Sequence, residues 1–560
     1  GLGDVYKRQP FDPRLAAEAS QIREQIQVFT DRSIYAVDEL IYFVADHRVS
    51  GPVGTSSWSS VLYVELLTSD GAALVHGKFR ILEGQAEGSL HIPAEALTGN
   101  YFLKCYTRWM RNSDPETFSF SPLKIINPFR SEVASVAESG KAAAPVQRIA
   151  YNKGMLECST TSDSYQAGQE VVLQVNGTPT ANVNQLRCCV TVVPLGAVNL
   201  TEGQLLTASP DENRTYRVDL LHDLSDKISI SGTVVGPDRE PAPYTKLHFS
   251  LLGEDPDYFA AMSDDNGKFI ISAPTGAGVY KEFFVTPEQE DGSGLEVRID
   301  QEYDSRPIEL PEEVFLLTDE EMEVARNVAL NMQLRKAFTT SVPDSKQPVN
   351  EMYSEGTGVP FYGSEVKRLL IDDYVMLPNL EEIFINQIPE VQFYRKQGKN
   401  RLRILSDNSS IGVYSPLIMI DHISVFDHEA LMALSPEKIE RIDLINDIYL
   451  KGSVPFGGVL AIYSRKGDMA GIDLPVGSYF FDYQSYHTTI PQIDPKPVLE
   501  ERVPDTRNTL LWSSNLVLQQ GEQLEIPFRV PKAKGDYVVL VRAVSTNGDV
   551  YAATSEFAVK

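Results

Sequence analysis

The stretch TDRSIYAVDELIYFVA, Thr30–Ala45, decides the fold class, and YQAGQEVVLQV, Tyr165–Val175, repeats its pattern. Apolar and polar residues alternate in both stretches, which predicts β-strands with one buried face. Aligned on their tyrosines, the matched pairs are Tyr35 and Tyr165, Asp38 and Gly168, Glu39 and Gln169, and Ile41 and Val171. This weak internal repeat predicts two copies of one domain type.

Further alternating segments follow the first stretch. Ser60–Leu67 places Leu62, Val64 and Leu66 on one face, and a second long alternation runs through Tyr101–Trp109. The turn signals Ser69–Gly71 and Thr98–Asn100 separate these segments. Short antiparallel strands at this spacing predict β-sandwiches, so the fold class is mainly β and multi-domain.

The composition is that of a folded, acidic chain. Its 560 residues suggest about four domains at roughly 150 residues each. Acidic residues outnumber basic ones by 77 to 50, which gives a formal net charge of -27. A polyanion is repelled by phosphate backbones, so we expect no nucleic-acid partner. No apolar stretch reaches about 18 residues, so we expect no membrane-spanning helix.

One segment changes from strand periodicity to helix periodicity. Thr318 and Glu321 have the spacing of a capping box, in which each side chain bonds the backbone amide of the other. Val324, Val328 and Met332 then recur every four residues. The spacing predicts an amphipathic helix.

Residues 365–468 have the pattern of an α/β module. A strand at Pro416–Asp421 leads to a short helix near Asp427–Leu434, and Ser435 before Pro436 predicts a further helix start. The remaining strands are predicted at Ile439–Ile445 and Gly458–Ser464. Together these elements predict one small α/β domain among the sandwiches.

The first sandwich resembles the macroglobulin-type domains of large Bacteroidota envelope proteins. The residues that carry the resemblance are Thr30-Asp31-Arg32, Tyr35, Glu39, Thr98-Gly99-Asn100-Tyr101, Tyr106–Asn112 and Ile126-Asn127-Pro128. The pattern departs at Val37-Asp38, where such domains usually have Pro-Gly, and this leaves the geometry of that turn open. The resemblance implies tandem immunoglobulin-like or macroglobulin-like β-sandwiches.

Residues 230–275 look like the carboxypeptidase regulatory-like domain. The matching residues are Gly232, Val234, Pro243, Asp264, Gly267 and Phe269. Despite its name, that domain is a structural sandwich without catalytic groups. The resemblance therefore implies a third sandwich and no reaction.

The α/β module resembles the plug domain of TonB-dependent outer-membrane receptors. The matching residues are Pro416–Asp421, Ile439–Ile442, Tyr449, Gly452 and Phe456–Ile462. The pattern departs at His422, where a glycine normally follows the aspartate, while Pro504–Trp512 resembles the end of such multi-module proteins. The tail after 469 is shorter than the smallest barrels need at about ten residues a strand. We expect a plug-like module without its own pore.

These observations divide the chain into nine segments. They are 1–9, an expected sequencing-adapter scar; 10–25, a short helix and linker; 26–128, the macroglobulin-type sandwich; 129–148, a linker; 149–225, a second sandwich; 226–305, the regulatory-like sandwich; 306–364, a helix and irregular linker; 365–468, the plug-like domain; and 469–560, a C-terminal strand module.

The first residues bear on location. Asp4–Gln9, DVYKRQ, resembles the translated transposon end used to build sequencing libraries. We therefore expect that the native N-terminus is missing, together with any export signal or lipid anchor. The family resemblance implies a location at the bacterial outer membrane and leaves open whether the chain faces the periplasm or the cell surface.

The cysteines lack the spacing of a metal site. Alternation places Cys188 inward and Cys189 outward on one strand, while Cys105 and Cys158 share faces with leucines. We expect small buried apolar side chains. A disulfide between Cys158 and Cys188 stays open, since the sequence does not fix their separation.

We expect no catalytic, cofactor-binding or metal-binding residues. The Gln520–Gln523 segment, QGEQ, lacks the cysteine of a macroglobulin thioester and is predicted to be a hairpin turn. His422 and His428 flank Asp421 and Asp427, an arrangement that solvated or capping loop residues explain. The adjacent acids Asp264-Asp265 and Asp372-Asp373 are predicted turn residues. Arg441 is expected to pair with Glu440 or a neighbouring acid, and a lone ion pair of this kind indicates no function.

The sequence therefore favours a non-enzymatic binding or scaffold protein of the outer envelope, accessory to an outer-membrane protein or complex. The alternative is a macroglobulin-like inhibitor that traps proteases without a covalent bond, with Val342–Gly358 as its bait loop. A third hypothesis, an enzyme, would be supported by activity that depends on His422.

Overall fold

The computed structural model gives the arrangement of most of the chain. It describes residues 21–51, 59–134, 147–152, 154–177, 185–200, 202–206, 228–253, 256–272, 280–289, 294–311, 314–338, 360–363, 366–375, 377–396, 398–451, 454–487, 493–497, 503–519 and 521–560. The predicted linker 129–148, the irregular part of 306–364 and the proposed bait loop lie largely or wholly outside these residues.

Strands dominate the described residues, as the alternation predicted. In chain order they are β1 Arg23–Thr30, β2 Ile34–Ala36, β3 Leu40–Ser50, β4 Val61–Thr68, β5 Ala73–Arg80, β6 Gln85–His91, β7 Gly99–Thr107, β8 Ser119–Ile126, β9 Gln147–Ala150, β10 Leu156–Thr160, β11 Ser164–Tyr165, β12 Glu170–Gly177, β13 Gln185–Pro194, β14 Glu202–Leu206, β15 Ser229–Val235, β16 Lys246–Leu252, β17 Asp257–Met262, β18 Lys268–Ser272, β19 Tyr280–Pro287, β20 Glu296–Ile299, β21 Lys367–Leu370, β22 Val391–Lys396, β23 Lys399–Ile404, β24 Leu417–Ile420, β25 Ile423–Ser424, β26 Ile439–Lys451, β27 Val454–Ser464, β28 Tyr479–Gln484, β29 Leu511–Gln519, β30 Gln523–Arg529, β31 Gly535–Ser545 and β32 Val550–Val559.

The described helices are few. They are α1 Asp319–Phe338, α2 Leu380–Gln387 and α3 His428–Met432, with short 3₁₀ turns that include Pro436–Lys438. The predicted capping box begins α1, since the Thr318 amide donates to Glu321 at 2.8 Å and the Glu321 amide donates to Thr318 at 3.2 Å. The predicted helix over 10–25 is wrong at its end, because β1 already begins at Arg23; its earlier residues lie outside the described ranges.

The chain folds into two compact units. The first unit comprises Gly1–Ile228, Tyr303–Gln347 and Tyr486–Lys560, and the second comprises Ser229–Glu302 and Pro348–Ser485. Each unit is therefore discontinuous in sequence.

The first sandwich of the first unit pairs two sheets. One sheet has the order β1-β3-β6, and the other runs β5-β4-β7-β8 and continues through β14 and β9. Phe43 of β3 meets Phe79 of β5 edge to face, with ring centroids 4.8 Å apart. The alternation read from Thr30–Ala45 thus places its apolar face between two sheets, as predicted.

The second sandwich has the same strand order but draws its strands from both ends of the chain. Its sheets are β10-β12-β30 and β11-β32-β31-β13-β29. They enclose one apolar core that includes Leu173, Val190, Phe528 and Val539. Strands β10, β12, β30, β29, β13, β31 and β32 occupy the places that β1, β3, β6, β5, β4, β7 and β8 have in the first sandwich.

Matching hydrogen bonds support the predicted repeat. The hydroxyl of Tyr35 accepts from the amide three residues earlier at 3.1 Å, and that of Tyr165 does the same at 2.8 Å. Tyr101 of β7 and Tyr537 of β31 lie on equivalent strands of the two copies. Each hydroxyl donates to the carbonyl oxygen four residues earlier, at 2.8 and 3.3 Å. The two sandwiches are therefore copies of one domain in detail as well as in topology.

The turn left open at Val37-Asp38 is also the same in both copies. Asp38 has φ 65° and its counterpart Gly168 has φ 75°, so an aspartate adopts the left-handed conformation that glycine favours. Glu39 and Gln169 each accept from the amide three residues earlier, at 2.7 and 3.0 Å. The departure from the family pattern leaves the turn geometry intact.

Two of the predicted domains, 149–225 and 469–560, need correction. The C-terminal segment 469–560 is not a separate module, since β29 to β32 pair with strands of the predicted second sandwich 149–225, and β28 pairs with β19. Alternation shows which face of a strand is buried but not which strand covers it, so the pattern could not reveal these partners. The connection that replaces the β4–β5 turn runs over 195–510 and contains the whole second unit.

The second unit combines a sandwich with an α/β layer. The sandwich has the sheets β18-β15-β20 and β17-β16-β19-β28, and its strand β28 comes from outside the predicted segment 226–305. The α/β module has the mixed sheet β21-β26-β27-β24-β25, helices α2 and α3, and a separate two-stranded hairpin, β22-β23. A shared apolar core joins sandwich and module, because Phe284 of β19 packs with Leu380 and Ile462 of the module.

Candidate functional site

A polar pocket lies between the sandwich and the α/β module of the second unit. This junction pocket has a volume of about 450 Å³. Its sandwich wall is formed by Tyr244, Thr245, Lys246, His248, Met262, Glu288 and Gln289, and its module wall by Tyr394, Arg401, Leu402, Ser415–Ile418, Val425, Phe426 and His428. Pockets of about 300–1,000 Å³ with a few convergent polar groups are the usual form of ligand sites.

His248 forms the floor of the junction pocket and is held from both sides. Its Nε2 lies 3.3 Å from Glu288, while Nδ1 lies 2.7 Å from the Tyr258 hydroxyl and 2.9 Å from that of Ser424. Burial lowers the pKa of His248. A neutral ring that donates from Nε2 to Glu288 and accepts at Nδ1 satisfies these contacts.

Glu288 is the negatively charged side chain at the base of the junction pocket. Burial opposes its ionisation, but the hydrogen bond from the neutral His248 ring and the Lys246 ammonium lower the pKa of Glu288. The Lys246 ammonium lies 2.9 Å from the same carboxylate. Glu288 and Lys246 therefore neutralise each other at the pocket floor.

On the opposite wall, His428 and Arg401 are available to a ligand. The Nδ1 atom of His428 accepts from the Leu402 amide at 3.1 Å, which leaves the proton on Nε2. Burial, with the nearby Arg401, lowers the pKa of His428 to about 4, so the ring is neutral at pH 7. Arg401 donates to the Phe426 carbonyl at 3.4 Å and, among the described residues, has no carboxylate within ion-pair distance.

Ser424, His248 and Glu288 contact one another in a row, hydroxyl to imidazole to carboxylate, which is the arrangement found in serine hydrolases. Ser424 is only 1% exposed and does not line the junction pocket, so its hydroxyl cannot reach a substrate there. The arrangement therefore fixes the orientation of His248 and suits binding better than acyl transfer.

The histidines singled out by the sequence separate in the structure. His428 lines the junction pocket, and Asp427 caps α3 by accepting the amides of Glu429 and Ala430. His422 does not line the pocket. Asp421 and His422 both have positive φ, 46° and 70°, so His422 adopts the conformation that the family glycine would favour.

The first pair of acids has local partners, because Asp264 accepts the amides of two later residues in its turn and Asp265 accepts from Asn266. Asp372 instead forms a bidentate ion pair with Arg465, which is distant in sequence. The contacts of Asp264 and Asp265 agree with the predicted turn. Within the described ranges, no three His, Cys, Asp or Glu side chains cluster closely enough to hold a metal ion.

The four thiols are free in the structure. Burial raises the pKa of Cys158 and of Cys188 to about 12. Cys188 points into its own sandwich as predicted, and Cys189 is buried as well, in agreement with the expectation of buried apolar side chains. It leaves its own core and packs against Phe29 and Val44 of the first sandwich. Alternation correctly predicted that Cys189 points away from the core of its own sandwich. It could not predict that the first sandwich packs over this side chain.

At the QGEQ segment, the Glu522 amide donates to the Gln519 carbonyl at 3.1 Å. The prediction of a hairpin is wrong, since β29 and β30, which flank it, belong to opposite sheets of the second sandwich. Arg441 lies nearest Asp443, at 3.4 Å, rather than Glu440.

Two motifs that carried the macroglobulin resemblance meet in the first unit. Arg32 pairs with Asp31 and Glu39 at 3.2 and 3.3 Å, and all three are buried. From the distant tail, Asn508 donates to Glu39 at 2.7 Å and Thr509 to Asp31 at 2.6 Å. These buried contacts fix the tail segment against the first sandwich.

Sequence reasoning missed the sandwich wall of the junction pocket. The available signal was His248, an inward-facing ring in the alternating strand Lys246–Leu252. The hairpin carried a second signal, since Arg395–Arg403 is rich in basic residues although the chain is acidic. None of the described helices combines the length and apolar character that crossing a bilayer requires.

Comparisons with known proteins give only loose likenesses. No protein-family model matches the chain, and no curated protein matches its sequence. The chain is similar to the solved structure of Salmonella alpha-2-macroglobulin reacted with methylamine, with 9% identity over 96% of this chain and 39% of that one, at a TM-score of 0.24. It is also similar to trypsin-activated alpha-2-macroglobulin from Escherichia coli, with 11% identity over 98% and 42%, at 0.22.

A further match is dimeric latent PorU from Porphyromonas gingivalis, with 10% identity over 50% of this chain and 33% of that one, at a TM-score of 0.15. The chain spans about two fifths of the length of the macroglobulins that it matches. Superpositions this loose transfer no activity, so the fold rests on the strand pairing described above. The resemblances to the regulatory-like and plug domains stay predictions.

Proposed function

We propose that this chain is a non-enzymatic binding protein of the bacterial outer envelope, in which two repeated sandwiches carry an inserted unit that engages an outer-membrane partner. The observation that carries the proposal is the site of insertion. Where the first sandwich joins β4 to β5 by the short turn 69–72, the second joins β13 to β29 by residues 195–510. Loops on a rigid scaffold are the usual position of binding functions.

The surface of the second unit supports this role. Val375 and Val413 of the α/β module are 86% and 76% exposed, so a partner protein can contact both side chains directly. The junction pocket adds a concave polar site whose acid–base groups are engaged in fixed contacts. The proposed location in the outer envelope rests on the sequence resemblance alone.

Site-specific photocrosslinking in cells that make the full-length protein tests the proposal. A photoreactive phenylalanine would replace Val375 or Val413, and a matched control would replace Leu82, which is 58% exposed on the first sandwich. We expect one outer-membrane protein to be captured from positions 375 and 413 and not from 82. Equal capture from all three positions, or capture of none, contradicts the proposal.

A protection assay with the purified protein tests the protease-inhibitor alternative. If purified chain protected a protein substrate from several proteases, and cleavage fell within 342–358, trapping would replace partner docking as the function. The enzyme hypothesis would return only if an activity were found that His422→Ala removes.

A further inference from the structure

The outward face of the hairpin β22-β23 continues the cationic wall of the junction pocket. Tyr394 lies opposite Arg401 in the register, and Gln392 lies opposite Arg403, so these four side chains share one face. The other face packs Leu402 and its neighbours into the core of the module. The exposed face thus presents guanidinium groups beside an aromatic ring.

Within the part of the chain that the structure describes, no acidic side chain pairs with the two guanidinium groups on this face. Among the described residues, Arg403 bonds only the neutral Gln392 amide, at 3.0 Å, and Arg401 bonds only a backbone carbonyl. A guanidinium group binds carboxylates in a planar, bidentate manner. In a chain with a net charge of -27, two such groups without an acidic partner indicate that an external acid supplies one.

The pocket supplies further donors next to Arg401. The His428 ring is fixed by the Leu402 amide so that its protonated Nε2 is available to a ligand. The Tyr394 ring is 38% exposed and lies 6.0 Å from the Arg403 guanidinium. A carboxylate at Arg401 can thus accept from two different groups, beside an apolar surface for the chain that carries it.

We propose that the junction pocket and the hairpin face bind an acidic peptide segment, with one carboxylate at Arg401 and His428 and a second at Arg403. Residues two apart on a strand are separated by about 6.5–7 Å, and an extended peptide with acids at alternate positions has the same spacing. This inference rests on the proposed binding role and names the chemistry of the partner.

The test uses purified full chain and fluorescence anisotropy. The probe is a fluorescein-labelled peptide of three Glu-Ser repeats, and its neutral counterpart has Gln in place of Glu. We expect the Glu-Ser peptide to bind with an affinity that falls as salt rises, and the Gln-Ser peptide not to bind. Failure of the folded parent protein to bind the acidic peptide overturns the inference.

Substitutions distinguish the pocket from general charge attraction. Arg401→Gln should weaken binding by about tenfold or more, since it removes a charge-assisted hydrogen bond. The control Arg395→Gln changes the same charge on the same hairpin but at a position of the opposite face, and should change binding by less than about twofold. Arg403→Gln, at an exposed side chain, is a second variant for which we expect an intermediate loss.

Two results would overturn this inference. Equal weakening by Arg401→Gln and Arg395→Gln means that diffuse charge binds the probe. Complete competition by inorganic phosphate at a concentration below that of the peptide means that the site takes a free anion. Photocrosslinks from positions 375 and 413 without peptide binding would leave the proposed function standing and reject the acidic peptide.

Discussion

The two sandwiches of the first unit have the same strand order but differ in how their sheets are connected and in how their first turns are stabilised. The first copy crosses from β4 to β5 in a short turn, whereas the second makes the same crossing through 195–510. At the tyrosine turn, the first copy buries the ions Asp31, Arg32 and Glu39, whereas the second uses neutral groups such as Gln169. One domain design therefore tolerates both a large insertion and a change in the chemistry of its turn.

The largest expected effect concerns the buried ions of the first copy. Arg32→Ala would remove the buried cation that pairs with Asp31 and Glu39 and leave Glu39 only the more distant Arg335, at 3.8 Å, so we expect a loss of about 3–5 kcal/mol in the free energy of unfolding. Urea unfolding followed by tryptophan fluorescence measures it, because Trp109 and Trp512 both lie in the first unit. Ser162→Ala, at the matching position of the second copy, should cost less than about 0.5 kcal/mol. Similar losses in both variants would contradict the comparison.

The second effect is a pH dependence of the first copy. The His487 ring lies against Phe79 of β5, with centroids 5.0 Å apart and the rings tilted by 37°. Burial, with the charges of His76 and Lys78, lowers the pKa of His487 from 6.5 to about 4. Below pH 6.5 the unfolded chain takes up a proton that the folded chain refuses, so stability falls as the pH drops from about 6.5 to about 4.

The expected loss from this histidine is up to about 3 kcal/mol over that range. His487→Phe keeps an aromatic ring at this position and should remove this part of the pH dependence of urea unfolding. His91→Phe, at a side chain 52% exposed on the same sandwich, is the control and should behave as the parent protein. An unchanged pH profile in His487→Phe would show that other groups cause the acid sensitivity.

The third effect tests the tail segment that completes the ionic turn. Thr509→Val removes a hydrogen bond to the charged Asp31 carboxylate and should cost about 2 kcal/mol. Thr191→Val removes a bond from the second copy to the neutral Asp31 carbonyl, 2.9 Å long, and should cost about 1 kcal/mol. Urea unfolding of both variants gives the difference, and a larger loss in Thr191→Val would reverse this assignment.

The smallest effect compares the paired tyrosines. Tyr101→Phe should cost about 1 kcal/mol and Tyr537→Phe somewhat less, because the hydrogen bond of Tyr537 is longer. Thermal unfolding of both variants measures the two losses side by side. A negligible loss in one copy only would mean that the shared geometry has lost its energetic role there.

Local patterns predicted local structure well. The capping box at Thr318 and Glu321, the strand alternation and the tyrosine-aligned repeat all depend on residues close in sequence, and the structure contains each of them. The partners of β13 could not be predicted in this way, because β29 and β31 follow it only after the long insertion. Alternation fixes the buried face of a strand and carries no information on distant partners.

The candidate site was harder to predict for the same reason. The walls of the junction pocket come from segments near residues 244, 288, 394, 415 and 428, and no spacing in the sequence relates them. His428 was considered because an aspartate precedes it, and its contact with the Leu402 amide depends on the hairpin lying beside α3. The predictions of an outer-membrane location and of a plug-like module remain to be tested by experiment.

The split of the second sandwich also sets the order in which the chain can fold during synthesis. Strands β10 to β13 leave the ribosome long before β29 to β32, and at roughly 5–20 residues per second the wait is on the order of tens of seconds. During that time β13 lacks both of its neighbours, and its backbone edges are open to other strands. Early folding of the inserted unit would shorten the distance between Val192 and Leu511, which pair directly, and so lower the entropic barrier to closure. The folded inserted unit would then hold the two halves of the second sandwich near each other. Until β32 is synthesised, the nascent chain would depend on chaperones to protect its open strand edges.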